Sequence, residues 1–93
     1  MGVKKIARPI NKAKNLFLKW LKDNDAESID EFEGGKDAEY EWDYYRSVDG
    51  FIGDNFYLVY FTIWEGNVNI DYSDDENKHD KLSIDEFLEM ITN

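Results

Sequence analysis

The chain contains no cysteine, a single proline, a single histidine and no apolar run long enough to cross a membrane. Without cysteine it can form no disulfide, thiolate nucleophile or thiolate metal site, which is typical of a reducing compartment, and we expect a cytoplasmic protein. One histidine is too few for a zinc site or a serine–histidine–acid triad. The basic N-terminus is followed by no apolar segment, so we expect neither a secretory signal nor a membrane anchor.

No motif predicts catalysis. Gly34 and Gly35 are followed by neither the spacing nor the lysine–serine or lysine–threonine pair of a phosphate-binding loop. Paired carboxylates can transfer protons, but every acid of this chain stands among many others, and nothing in the sequence raises one pKa selectively. We therefore predict a protein that is not an enzyme and needs no cofactor.

Charge is distributed unevenly along a chain that is long enough for one ordered domain, which we place at 1–93. Residues 1–22 contain seven bases and no acid, and residues 23–93 contain four bases and all 21 acids, for a formal net charge of −10. A chain this acidic is repelled by free nucleic acid and by anionic membranes, and it attracts basic surfaces.

Hydrophobic periodicity predicts a helix near each end of the chain. Apolar residues recur at helical spacing over 9–22, where Pro9 suits the first helical position. A capping box that begins at Ser83 predicts a second helix over 83–92. Alternating and aromatic segments between them predict three strands, at about 39–47, 56–65 and 68–73.

The pentapeptide Ser-Ile-Asp-Glu-Phe occurs twice, at 28–32 and at 83–87. It fits a capping box in both places, because the serine and glutamate side chains can accept the free N–H groups of a helix start. Gly34 and Gly35 follow the first copy closely, so we expect only a short helical turn in an acidic loop at 23–38. We expect a second acidic loop at 74–82.

These elements predict an α+β domain. Each helix has one apolar stripe, so the two most simply pack together on one face of a three-stranded antiparallel meander. The opposite face would then carry aromatic residues without cover. We expect half of one aromatic set to lie in the core and the rest to be available as interface anchors: Tyr44, Tyr45, Phe51, Tyr57, Tyr60 and Tyr72.

The segment from 75 to 86 partly matches an EF-hand calcium loop. Asp75 and His79 stand at positions one and five, and Glu86 stands at position twelve. Position six needs glycine for a sharp turn but is Asp80, and imidazole is a poor ligand for calcium. We therefore favour a plain acidic loop that leads into a helix, and we predict no metal site.

Two clusters of acids are the predicted partner contacts. The first cluster consists of Asp23, Asp25, Glu27, Asp30, Glu31, Glu33, Asp37, Glu39, Glu41 and Asp43. The second consists of Asp74, Asp75 and Glu76, with Asp80 nearby. A solvated surface that maintains solubility is the simplest alternative, but like charges at this density repel one another and lower stability.

Part of the first cluster suggests a phosphate-like row. Within the strand expected at 39–47, Glu39, Glu41 and Asp43 would lie on one face about 7 Å apart, which is twice the rise per residue. This separation is close to that of successive phosphates along one DNA strand. A groove that normally holds a nucleic acid backbone could accept such a row.

In size, charge and layout the chain resembles the small acidic inhibitors of phages and mobile elements, such as DNA-mimicking anti-restriction and anti-CRISPR proteins. The resemblance implies a stoichiometric inhibitor that occupies the nucleic acid channel of a basic protein, with carboxylates in place of phosphates. The bases of the first helix depart from that pattern. Two alternatives stay open: an immunity protein that neutralises a cognate toxin, and an oligomeric interaction module. We expect a monomer or a homodimer.

Overall fold

The computed structural model describes residues 4–35 and 40–92, with the backbone alone at residues 4, 5 and 42. Within these described residues, two helices and five strands follow one another as α1 (Lys4–Asp23), β1 (Glu27–Gly34), β2 (Tyr45–Ile52), β3 (Asn55–Trp64), β4 (Asn67–Asp74), β5 (Lys78–Leu82) and α2 (Ile84–Thr92). A 3-10 turn, Glu41–Asp43, precedes β2. The predicted α+β class is confirmed, but the sheet has five strands instead of three.

The strands form one antiparallel meander in the order β1 to β5. Successive side chains of a strand point to opposite faces, so the register divides the sheet into an inner and an outer face. Val48, Val59 and Tyr72 pair across the inner face and are buried. Their neighbours in sequence form the outer face.

Both helices cover the inner face, as predicted. The apolar stripe of α1 is buried, and its Phe17 ring lies 5.8 Å from Phe87 of α2 and 6.4 Å from Tyr72 of β4, measured between centroids. Phe87 also meets Phe61 of β3 edge to face at 5.7 Å. These rings form the centre of one core, and such pairs contribute beyond the area that they bury.

Helix α1 begins earlier than predicted. It starts at Lys4, so Pro9 lies inside the helix and not at its first position. Proline removes one intrahelical hydrogen bond, but Ile6 and Ala7 pack against the core and extend the apolar stripe. Their burial favours the additional turn.

The helical turn predicted within 23–38 is wrong, because Glu27–Gly34 form the edge strand β1. Residues 36–38 of that segment lie outside the described residues. Ile29 lies beside Leu21 and Gly50, where the missing Cβ of Gly50 leaves the space that they use. Ser28 has a φ of 55° and marks a bulge that brings Ile29 to the inner face. Burial of this side chain outweighs the capping signal.

The loop predicted at 74–82 is in part strand β5. Leu82 pairs with Ile70 and packs against the core. The other residues of β5 are charged or polar and exposed, which is why hydrophobic alternation did not reveal the strand. The two central strands expected at 56–65 and 68–73 correspond to β3 and β4.

Gly34 allows a close approach of Tyr45 from the neighbouring strand. A Cβ at Gly34 would lie 1.9 Å from Cε2 of Tyr45, so we expect Gly34→Ala to displace the ring and to destabilise the protein by roughly 1–3 kcal/mol. Urea denaturation in a Tyr45→Ala background should show most of that cost removed. An equal cost in the two backgrounds would contradict this interpretation.

Candidate protein-binding surface

The sheet divides the first acidic cluster between its two faces. Glu31 and Glu33 pair with Val48 and Arg46 on the inner face, whereas Asp30 pairs with Asp49 on the outer face. The remaining described acids of the cluster lie at element ends or in turns: Asp23, Asp25, Glu27, Glu41 and Asp43. Asp37 and Glu39 lie outside the described residues. The described members therefore do not form one continuous wall.

Bases of the same chain face the inner acids. Lys14 Nζ of α1 lies 3.3 Å from Glu31 Oε1 and 3.8 Å from Glu33 Oε1. At the end of α1, Lys19 Nζ donates to Asp23 Oδ2 at 2.6 Å. Three predicted contact residues are thus paired within the fold, and they contribute less to the external field than the sequence suggested.

The described members of the expected phosphate-like row, Glu41 and Asp43, do not lie on a strand. Strand β2 begins only at Tyr45, because residues 41–43 form the 3-10 turn, in which the Asp43 N–H donates to the Tyr40 carbonyl at 3.1 Å. Glu41 Oε2 accepts the N–H of Gly66, at the β3–β4 turn, at 3.1 Å. The alternation of acids and aromatics therefore encodes a turn that contacts a hairpin.

The second acidic cluster shapes the turn between β4 and β5. Asp74 Oδ1 accepts the backbone N–H groups of Glu76 and Asn77 at 2.9 and 2.7 Å, and Asp75 Oδ2 accepts the N–H of Phe56 at 3.1 Å. Burial by itself would raise the pKa of Asp74, but these bonds and one from the Tyr72 hydroxyl lower it. Asp74 and Asp75 thus have structural roles.

The calcium-like segment is divided among a turn, strand β5 and the start of α2. Ser83 and Glu86 form the predicted capping box, with the Ser83 N–H donating to Glu86 Oε1 at 2.9 Å and the Glu86 N–H donating to Ser83 Oγ at 3.1 Å. The bonds from Ser83 lower the pKa of Glu86. Among the described residues, no three acids or histidines are arranged to hold a metal ion.

Aromatic side chains on the outer face stay exposed. Phe32 of β1 is 53% exposed and Trp64 of β3 is 60% exposed. Phe51 and Tyr60 are less exposed, at 40% and 36%. Tyr45 stacks on Tyr60 with a centroid separation of 5.5 Å. The uncovered aromatic face expected from the sequence is therefore present, and a ring contact joins neighbouring strands across it.

Two carboxylates stand within this aromatic face. Asp30 and Asp49 are direct cross-strand partners, which places their Cβ atoms about 5 Å apart. Burial, and then the charge of Asp30, raise the pKa of Asp49. Like charges in this arrangement oppose strand pairing.

Both edges of the sheet resist pairing with another strand. β1 carries four acids and the bulge at Ser28, and β5 carries Lys78 and Lys81, the second at a φ of 57°. Charged side chains and irregular backbone on an edge strand discourage the addition of another strand. A partner is therefore better accommodated by the outer face than by either edge.

Arg46 is a central residue that sequence reasoning missed. Its Nη1 donates to the carbonyls of Gly34 and Tyr45 at 3.0 and 2.7 Å, and its guanidinium lies 4.2 Å from the ring centroid of Tyr44. Its Nε is 3.6 Å from Glu33 Oε1, which is a charge contact longer than a hydrogen bond. The available signal was a lone arginine in an acidic segment.

Comparisons with known proteins found no match to this chain among family models, curated proteins or solved structures. α1 has the length of a membrane span, with 20 residues, but its many bases make it too polar. In the part of the chain that the structure describes, no helix is long and apolar enough to cross a bilayer.

Replacement of Arg46 should destabilise the fold. Arg46→Met leaves two carbonyls without their donor and removes the contact with Tyr44, so we expect a loss of about 2–4 kcal/mol in urea denaturation. Lys14→Met, which removes the other base beside Glu33, should cost less than about 1 kcal/mol. Equal losses in the two variants would show that Arg46 contributes only a surface charge.

Asp49→Asn should stabilise the protein at neutral pH by roughly 0.2–1 kcal/mol, because it removes the repulsion from Asp30. The raised pKa means that folded Asp49 binds its proton more tightly than unfolded Asp49 does, so stability falls as the pH rises through the folded pKa. The gain should therefore disappear below the ordinary pKa of 3.8. Denaturation at pH 3 and pH 7 tests this, and a gain that persists at pH 3 would argue against it.

Proposed function

We propose that this chain is a non-enzymatic acidic binding protein whose partner is a basic protein. The proposal rests on the carboxylates that form no ion pair with a lysine or arginine of the same chain. Among the described residues, only Asp23, Glu31 and Glu33 lie within 4.0 Å of a lysine or arginine nitrogen. The negative field of the remaining acids extends into solvent, where it attracts and orients a cationic surface.

The class of partner follows from this field. Large basic surfaces are typical of proteins that handle nucleic acids, because phosphate contacts require lysine and arginine. A bound acidic domain competes with the nucleic acid for these side chains, so the proposed action is stoichiometric inhibition. Without a regular carboxylate row, the competition rests on charge and not on the spacing of phosphates.

Affinity capture with matched charge variants tests this function. The bait is the purified chain, incubated with nuclease-treated lysate of the native host, and the captured protein is then purified and titrated. Asp25→Asn with Glu27→Gln removes two exposed, unpaired acids and should weaken binding roughly two- to fivefold per carboxylate. Glu31→Gln with Glu33→Gln changes the net charge equally but removes acids that Lys14 and Arg46 already pair with, and it should have a smaller effect.

Two further measurements on the captured protein complete this test. Affinity for the captured protein should fall steeply as NaCl is raised, because exposed charge pairs are screened. A DNA or RNA duplex should compete with the chain for the captured protein, with one chain displaced for each binding site that the duplex occupies. Affinity that is independent of salt would refute the electrostatic mechanism, and a ternary complex with the duplex would refute the inhibitory action.

A further inference from the structure

The acid pair on the outer face lies between two groups of rings. Phe32, Ser47 and Tyr60 are successive partners across β1, β2 and β3 on this face. Their row lies two residues along the strands from Asp30 and Asp49. On the other side, Phe51 pairs with Phe56, with ring centroids 5.0 Å apart. Two carboxylates that repel each other thus lie between two rows that carry aromatic rings, with Leu58 as the β3 partner of Asp49.

This combination matches the chemistry of arginine. A guanidinium is planar and weakly hydrated, it stacks on aromatic rings, and it bonds to carboxylates through two parallel N–H groups. Lysine presents a compact, strongly hydrated charge that uses ring faces less well. A guanidinium beside Asp30 and Asp49 would also remove the repulsion between them.

We propose that the outer face is the docking surface for the basic partner, and that an arginine of this partner enters between the aromatic rings beside Asp30 and Asp49. The inference rests on the proposed function and names the surface and the side chain that the partner uses. Exposed Phe32 and Trp64 then supply the apolar contact, and rigid aromatic residues of this kind dominate binding energies.

Charge complementarity favours a basic protein over a second copy of the chain. Two copies that meet face to face would bring both acid pairs into one desolvated interface, between chains that each carry a net charge of −10. Unpaired buried carboxylates are costly. Sedimentation at micromolar concentration should therefore show a monomer, and a tight dimer that Phe32→Ser dissociates would overturn the proposal.

Titration with two matched peptides tests whether the outer face prefers arginine to lysine. The probes are blocked peptides of alternating leucine with arginine or with lysine, added to isotopically labelled protein and followed by NMR. The arginine peptide should bind at least fivefold more tightly and should shift the resonances of β1, β2 and β3 around Asp49. Equal affinities, or shifts centred on the β4–β5 turn or on α2, would contradict the proposal.

Variants of the face provide the controls. Phe32→Ser and Asp49→Asn should each weaken the arginine peptide at least threefold, and Trp64→Ser replaces Phe32→Ser if that variant does not fold. Leu16→Ser removes an exposed apolar residue that lies on α1 instead of the sheet, and it should leave affinity unchanged. Equal losses with Leu16→Ser would show that the peptide binds without using this face.

The captured protein separates this inference from the proposed function. If its binding depends on salt and on Asp25 and Glu27 but not on Phe32, the function stands and the docking surface is wrong. If its binding depends on Phe32 but not on salt, an apolar face is in use and the electrostatic function is wrong. Dependence on all of them supports both.

Discussion

Two helices are the only cover that the described part of the chain provides for a five-stranded sheet, and both lie on the same face. α1 and α2 meet over β4, where Phe17, Phe87 and Tyr72 share one core. This arrangement concentrates apolar burial on the inner face, at roughly 25 cal/mol for each Å² removed from water. The outer face gains none of this stabilisation from the helices, so its rings remain accessible while the fold stays intact.

The basic opening segment and the acidic remainder are structurally linked. Lys14 reaches from α1 to Glu31 and Glu33 on β1, and Arg46 approaches Glu33 from β2. These contacts attach the edge strand to the helix layer, where β1 has few apolar side chains to bury. Part of the charge asymmetry along the sequence therefore stabilises the fold, and the part that can act on a partner is smaller than the net charge suggests.

Elements with strong periodicity could be predicted from the sequence, because their side chains are sorted by burial. The apolar stripe of α1, the doubly apolar β3 and the capping box at Ser83 are of this kind. The two edge strands could not be predicted, since most of their side chains contact water on both faces. A single partly buried apolar side chain holds each of them to the core, Ile29 in β1 and Leu82 in β5, and one residue produces no periodicity.

The repeated pentapeptide shows how neighbouring residues decide between two conformations. After the copy at 83–87, Leu88 and Ile91 continue an apolar stripe, so burial offsets the cost of starting a helix. After the copy at 28–32 the chain continues with Glu33, Gly34 and Gly35, which cannot extend such a stripe. Pairing with β2 is then the better use of the backbone hydrogen bonds, and the capping residues become strand residues.

The candidate site shows the same division between what a sequence encodes locally and what the fold brings together. Composition and charge predicted uncovered rings and an acidic surface, but they assigned the contact to the most acidic segment. The two acids of the proposed docking surface are distant in sequence, and the pairing of β1 with β2 brings Asp30 opposite Asp49. Asp49 belonged to neither predicted cluster. Its place in the proposed surface follows from its cross-strand partner Asp30 and the neighbouring rings, and only strand register reveals such a relation.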